Sequence, residues 1–163
     1  TEEVYTLPHK DKVNGVVYST KPLNYSGNLI DGFKLTFKDG KVIDFEAKVG
    51  EEILRDLIDI DEGARYLGEV ALVPHSSPIS QSNTIFLNTL FDENASCHLA
   101  FGRAYPTSIE GGEEMTEEEL EKAGVNYSLT HEDFMIGSKD LSIVGETNNG
   151  EKIQIFKDGE WAI

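Results

Sequence analysis

Apolar and polar positions alternate through much of the first fifty residues. Phe33, Leu35 and Phe37 are separated by Lys34 and Thr36, the two-residue period of a strand with one buried face. Val13 to Thr20, rich in β-branched and aromatic side chains, predicts another strand. Asp39-Gly40 tolerates positive φ and Val42 to Val49 resumes the alternation, so a β-hairpin is expected about that turn. The period then changes. Glu51 and Glu52 follow Gly50, where acids favour a helix start, and Ile53, Leu54, Leu57 and Ile58 share one helical face, predicting a short amphipathic helix to about Ile60.

Beyond Gly68, Glu69 to Val73 reads as a short strand stopped by Pro74, and a Ser- and Pro-rich stretch to about Asn83 reads as a loop or short helix. Cys97 to Phe101 predicts a strand. Thr116 to Ala123 predicts a helix with a Thr116/Glu119 capping box and a Gly124 stop. Its glutamates 117, 118, 119 and 121 form a solvated face. His131 to Ile136, Leu141 to Val144 and Ile153 to Phe156 read as strands, the last two joined through Asn148-Asn149-Gly150. Strands outnumber helices about three to one. The expected class is α+β, with a mainly antiparallel β-sheet or barrel-like core and a few short helices.

Composition narrows the function. The chain has 163 residues, of which 39% are hydrophobic, enough for a single domain over 1–163. Acids outnumber bases 30 to 14, for a formal charge of -16. Such a surface repels phosphate backbones and anionic headgroups, so neither nucleic acid nor membrane is an expected partner. The single Cys97 excludes an intrachain disulfide, and no apolar run reaches membrane-spanning length. A cytoplasmic location is expected. The chain opens on Thr1 within a segment that reads as ordered, so its start is read as a cut within a longer chain.

Candidate chemistry is confined to histidines and carboxylates. No P-loop, Gly-x-Gly-x-x-Gly, Gly-x-Ser-x-Gly or Cys-x-x-Cys motif is present, which removes the signatures of nucleotide binding, serine hydrolysis and structural zinc. Cys97 and His98 are neighbours on a strand and face opposite ways, so they do not form a nucleophile and base. His131 and Asp133, two apart on a strand, project from one face and suit a metal. Acids stand at 30 of 163 positions, however, so one or two such pairs among four histidines arise by chance. His98 on a buried strand needs partners for both ring nitrogens, supplied by hydrogen bonds or by a metal. Glu69 opens an apolar strand and either points to solvent or has a cation. His9 and His75 lie in turn-like contexts and receive no role.

Five separated segments carry a family resemblance. Thr1-Glu2-Glu3-Val4-Tyr5-Thr6, Gly68-Glu69-Val70-Ala71, Leu90 to Ala95, His98-Leu99-Ala100-Phe101-Gly102 with Tyr105, and His131 to Ser138 together resemble the aminopeptidase T and aminopeptidase S family of metallopeptidases. The resemblance implies two divalent ions (Zn²⁺, Co²⁺, Mn²⁺ or Mg²⁺) held by Glu3, Glu69, Glu93, His98, His131 and Asp133, with Glu69 as the bridge. It places Tyr105 beside the metals, where its hydroxyl would support a developing oxyanion, and makes Glu3 or the neighbouring Glu2 the acceptor of a proton from water. It implies removal of N-terminal amino acids from peptides with a free N-terminus, by a homodimer. Family members are more than twice this length, so the chain is read as the C-terminal, metal-binding part, folded but nearly inactive alone. The alternative is an acidic β-rich binding or dimerisation module without catalysis.

Overall fold

The computed structural model describes residues 3–163. In chain order the elements are β1 (Val4–Thr6), β2 (Gly15–Tyr18), β3 (Leu23–Tyr25), β4 (Asn28–Ile30), β5 (Lys34–Lys38), β6 (Lys41–Glu46) and α1 (Glu51–Ile58). There follow β7 (Leu67–Leu72), α2 (Pro78–Gln81), α3 (Thr89–Asp92), β8 (His98–Gly102), α4 (Glu117–Lys122), β9 (His131–Met135), β10 (Ile143–Glu146), β11 (Lys152–Lys157) and β12 (Glu160–Trp161). The strands form a four-stranded sheet in the order β1-β7-β8-β9, two three-stranded sheets, β2-β5-β6 and β10-β11-β12, and the β3-β4 hairpin. Every pairing is antiparallel. The sheets stay open and do not close into a barrel, so the α+β class holds in its sheet form.

Local chemistry explains the elements that were legible. Asp39 and Gly40 both adopt positive φ, 48° and 83°, and bring Lys38 opposite Lys41. A side chain at residue 40 would stand 1.7 Å from the Lys10 carbonyl oxygen, so glycine there is a requirement of packing as well as of the turn. On α1, Leu54, Leu57 and Ile58 are buried. That helix stops at Ile58, short of the expected Ile60, because Asp61 caps a following 3-10 turn over Glu62–Arg65 and accepts from the Ala64 N–H. The Thr116/Glu119 capping box forms as expected at α4. β6 ends at Glu46 rather than Val49, and Val49 makes an isolated bridge to Asp31.

The main core lies between the β2-β5-β6 sheet, α1 and one face of the four-stranded sheet. Phe33, Leu35 and Phe37 meet Leu54, Leu57 and Ile58 there, and Leu67, Phe101 and Phe134 complete the cluster. Phe134 stacks against both Phe33 and Phe101, with ring centroids 5.4 and 4.6 Å apart. Strand alternation sends the odd neighbours of these residues the other way. Ala100 and Asp133 are register partners, as are Glu69 and Ala100, and this row faces away from the aromatic core.

One irregularity decides which way Glu69 points. Leu67 pairs with Phe101, yet Glu69, two residues on, pairs with Ala100 rather than with Leu99. This β-bulge at Gly68 shifts the alternation by one residue. Without it, Glu69 would share the core face with Leu67. A Cβ at residue 68 would lie 2.2 Å from the Arg103 carbonyl oxygen, so the bulge needs a residue without a side chain.

Candidate metal centre

The face of the four-stranded sheet opposite the core gathers acids and histidines from all four strands or their flanks. His98 is fully buried. Its Nδ1 lies 3.0 Å from the Ser96 carbonyl oxygen; because a carbonyl only accepts, Nδ1 carries a proton, and in the neutral ring Nε2 is the nitrogen with the lone pair. That Nε2 lies 3.2 Å from Glu3 Oε2 and 3.4 Å from Glu69 Oε1. His131 repeats the device. Its Nδ1 donates to the Arg103 carbonyl at 2.6 Å, and its Nε2 lies 3.7 Å from Glu69 Oε2 and 3.5 Å from Asp133 Oδ1.

Glu3 arrives by register. Tyr5 pairs with Ala71, and Ala71 lies two residues beyond Glu69 on the same face, so Glu3, two before Tyr5, is directed to that face as well. The result is two triads whose ligand-type atoms lie within 4.8 Å of one another, Glu3–Glu69–His98 and Glu69–His131–Asp133. Glu69 belongs to both. Its two oxygens divide between the histidines, Oε1 towards His98 and Oε2 towards His131.

The electrostatics are those of a crowded acidic cluster. Burial, then the charges of Asp133 and Glu3, push the Glu93 carboxyl up to about 7, against a smaller opposing pull from His98. Burial works against a charged His131, but Asp133, the Arg103 carbonyl and Glu69 outweigh it and raise that ring to about 9. His98 is also raised, since Glu69 and the Ser96 carbonyl overcome its burial. The Tyr105 ring stands 4.7 Å from that of His131. Its phenol is raised by burial and by the charges of Asp133 and Glu69.

These residues suit divalent cations. His98 Nε2 and Asp133 Oδ1 are buried without a well-directed hydrogen bond, and a buried polar atom in that condition is costly unless something else engages it. The Nδ1-to-carbonyl bonds are the outer-shell arrangement that holds a ligating imidazole in one tautomer. Four carboxylates and two imidazoles match the donor preferences of hard to borderline ions.

Of the residues singled out in the sequence, the fold brings Glu3, Glu69, His98, His131 and Asp133 into direct proximity, with Glu93 within electrostatic reach and Tyr105 against His131. Glu2 lies outside the described residues. The supporting carbonyls of Ser96 and Arg103 carry no side-chain signal and were not anticipated. Neither was Glu132, which faces away from the triads and accepts a hydrogen bond from the Thr89 hydroxyl at 3.0 Å, tying α3 to β9.

Comparison with known proteins agrees with this chemistry. The sequence model of the thermophilic metalloprotease (M29) family matches residues 1–161, and the chain belongs to that metallopeptidase family, whose members depend on divalent metal. Among relatives, "Aminopeptidase 2" of Geobacillus stearothermophilus is 65% identical over 162 residues, covering 99% of this chain and 39% of that protein. "Aminopeptidase T" of Thermus aquaticus is 45% identical and matches 100% of this chain and 40% of its own length. The solved structure of wild-type AmpT from Thermus thermophilus superposes with a TM-score of 0.94 at 45% identity, again over 100% of this chain and 40% of that one. The chain is thus a portion of the aminopeptidase T/S family, spanning about two fifths of the length of the relatives it matches.

Proposed function

We propose that this chain is the C-terminal, metal-binding part of a dinuclear metallo-aminopeptidase that removes N-terminal residues from peptides with a free N-terminus. The observation that carries the reading is Glu69: one buried carboxylate whose two oxygens face two different histidines, each with Nε2 turned inward. Glu3 and His98 would hold one ion, His131 and Asp133 the other, with Glu69 between them and Glu93 adding a further carboxylate. Zinc, cobalt, manganese and magnesium are all compatible with this donor set.

A pair of divalent ions in such a site supplies positive charge for a carbonyl oxygen and lowers the pKa of a water. The side chains do the rest. The Glu3 carboxylate, or that of Glu2 next to it in the sequence, would accept a proton from water, and the Tyr105 hydroxyl would donate a hydrogen bond to the developing oxyanion. The Nδ1 bonds to Ser96 and Arg103 keep both imidazoles aimed inward throughout. The enzyme would work in the cytoplasm as a homodimer.

Calorimetric titration with Zn²⁺ or Co²⁺, paired with turnover of an amino-acid anilide by the full-length protein, tests the reading. Two tight sites are expected, and Glu69→Gln or His131→Ala should abolish turnover. Absence of both metal binding and turnover would instead favour a non-catalytic acidic module, and full activity in either variant would remove that residue from the centre.

A further inference from the structure

A cavity of about 310 Å³ is lined in part by Lys10, Arg103, Leu120, Val125 and Tyr127, and Arg103 joins it to the candidate centre through the backbone. Arg103 differs from the other arginines in its pairing. The chain has three arginines; Arg55 pairs with Glu51 and Arg65 with Asp59, whereas Arg103 has no ion pair among the described residues. Arg103 is exposed, so its guanidinium is open to a carboxylate brought from outside. Its guanidinium lies over the Tyr127 ring, 5.5 Å from the centroid, which fixes its direction while leaving its donors free.

The backbone of Arg103 belongs to the wall of the centre. Its N–H donates to the Thr130 carbonyl at 2.7 Å and its own carbonyl receives His131 Nδ1 at 2.6 Å. The charge of Arg103 also acts on the Tyr105 phenol, opposing the carboxylates there. One extended residue spans about 3.5 Å, so the one or two residues beyond a scissile bond match the length of an arginine side chain. Glu117 and Glu121 also line the cavity. Their charges disfavour a dianion such as phosphate and leave room for one negative charge.

We propose that this cavity takes the C-terminal end of a short peptide substrate, with Arg103 as the specificity-determining counter-ion of its free carboxylate and Leu120, Val125 and Tyr127 against the last side chain. The inference rests on the aminopeptidase reading and adds a substrate class to it: dipeptides and tripeptides ending in a free acid. Lys10 contributes less, because its ammonium is already placed over Tyr66, 4.9 Å from the ring centroid.

The test compares kcat/KM for leucyl-glycine, leucyl-glycinamide and a leucine anilide in the full-length enzyme. The free acid should be preferred over the amide by about tenfold or more, the worth of one charge-assisted pair. Arg103→Met should bring that ratio close to one, chiefly through KM for the acid, while Arg103→Lys keeps part of it. Both variants retain the main-chain bonds to Thr130 and His131. No preference in the wild type, or a preference that survives Arg103→Met, overturns the proposal while leaving the aminopeptidase reading standing. Hydrolysis of none of the three substrates overturns both.

Discussion

Asp61 concentrates an unusual amount of structure on one side chain. Its carboxylate accepts from Ala64 N–H and Ser128 Oγ–H, both at 2.8 Å, and from Leu129 N–H at 2.6 Å, so it caps the turn after α1 and also pins the segment leading into β9. Burial alone would raise its pKa, but these three donors together with the Gly63 N–H outweigh burial and lower it. A carboxylate depressed in the folded state contributes stability that is present above its unfolded pKa and lost as pH falls through the folded value. We therefore expect part of the acid denaturation of this protein to trace to Asp61, below pH 3.8. Asp61→Ala should lower stability at pH 7 by about 1–2 kcal/mol and flatten the acid limb of a urea-midpoint against pH curve. At this scale the sequence was partly legible. The His131 and Asp133 spacing was readable because strand geometry puts both on one face. The Ser96 and Arg103 carbonyls were not, because any residue offers a carbonyl.

Elements follow the same division. The hairpin at Asp39-Gly40, α1 and α4 were each specified by a local rule: positive φ at a turn, a 3.6-residue apolar stripe, a capping box. The β3-β4 hairpin was missed because three-residue strands contain too few alternations to announce themselves, although Ser26 and Gly27 do take positive φ, 50° and 81°. β12 and α3 are shorter than any pattern can establish. What joins elements is also invisible locally. Asn126, almost wholly buried, donates from Nδ2 to the carbonyls of Gly63 and Gly102, at 2.8 and 2.6 Å, clamping the turn after α1 to the end of β8 from 63 and 24 residues away. Asn126→Ala should remove the side-chain donor from the Gly102 carbonyl and leave the Gly63 carbonyl with the Tyr66 N–H alone, at a cost of about 1–3 kcal/mol, seen as a lowered urea midpoint with little change in slope.

For the molecule as a whole, the charge of -16 and the gathering of four acids around two histidines mean that its acidity is partly a metal-binding property. Assembling Glu3, Glu69, Glu93 and Asp133 on one face stores repulsion, relieved in the metal-free state by protons, as the Glu93 value near 7 indicates. Divalent metal replaces those protons. Millimolar Zn²⁺ or Mn²⁺ should therefore raise the melting temperature at pH 7.5, by a free energy of about 2.7 kcal/mol at a hundredfold excess over Kd. EDTA should reverse the shift, and Glu69→Gln should reduce it. No shift in scanning calorimetry with any of the four ions would remove the metal centre. Among the described residues no helix is long and apolar enough to cross a membrane.

The bulge at Gly68 also makes one backbone position decide the phase of a whole strand. Surface positions ordinarily accept a new side chain at small cost, but a Cβ at residue 68 would press on the Arg103 carbonyl oxygen and work against the bulge. A substitution there that forced unbroken alternation, pairing residue 68 with Ala100 and Glu69 with Leu99, would rotate Glu69 towards Leu67, Phe101 and Phe134 and replace a shared carboxylate at the centre with an unpaired one in the aromatic core. A single codon changed at this point would thus cost fold and function together, and the phase of one strand is the joint on which both turn.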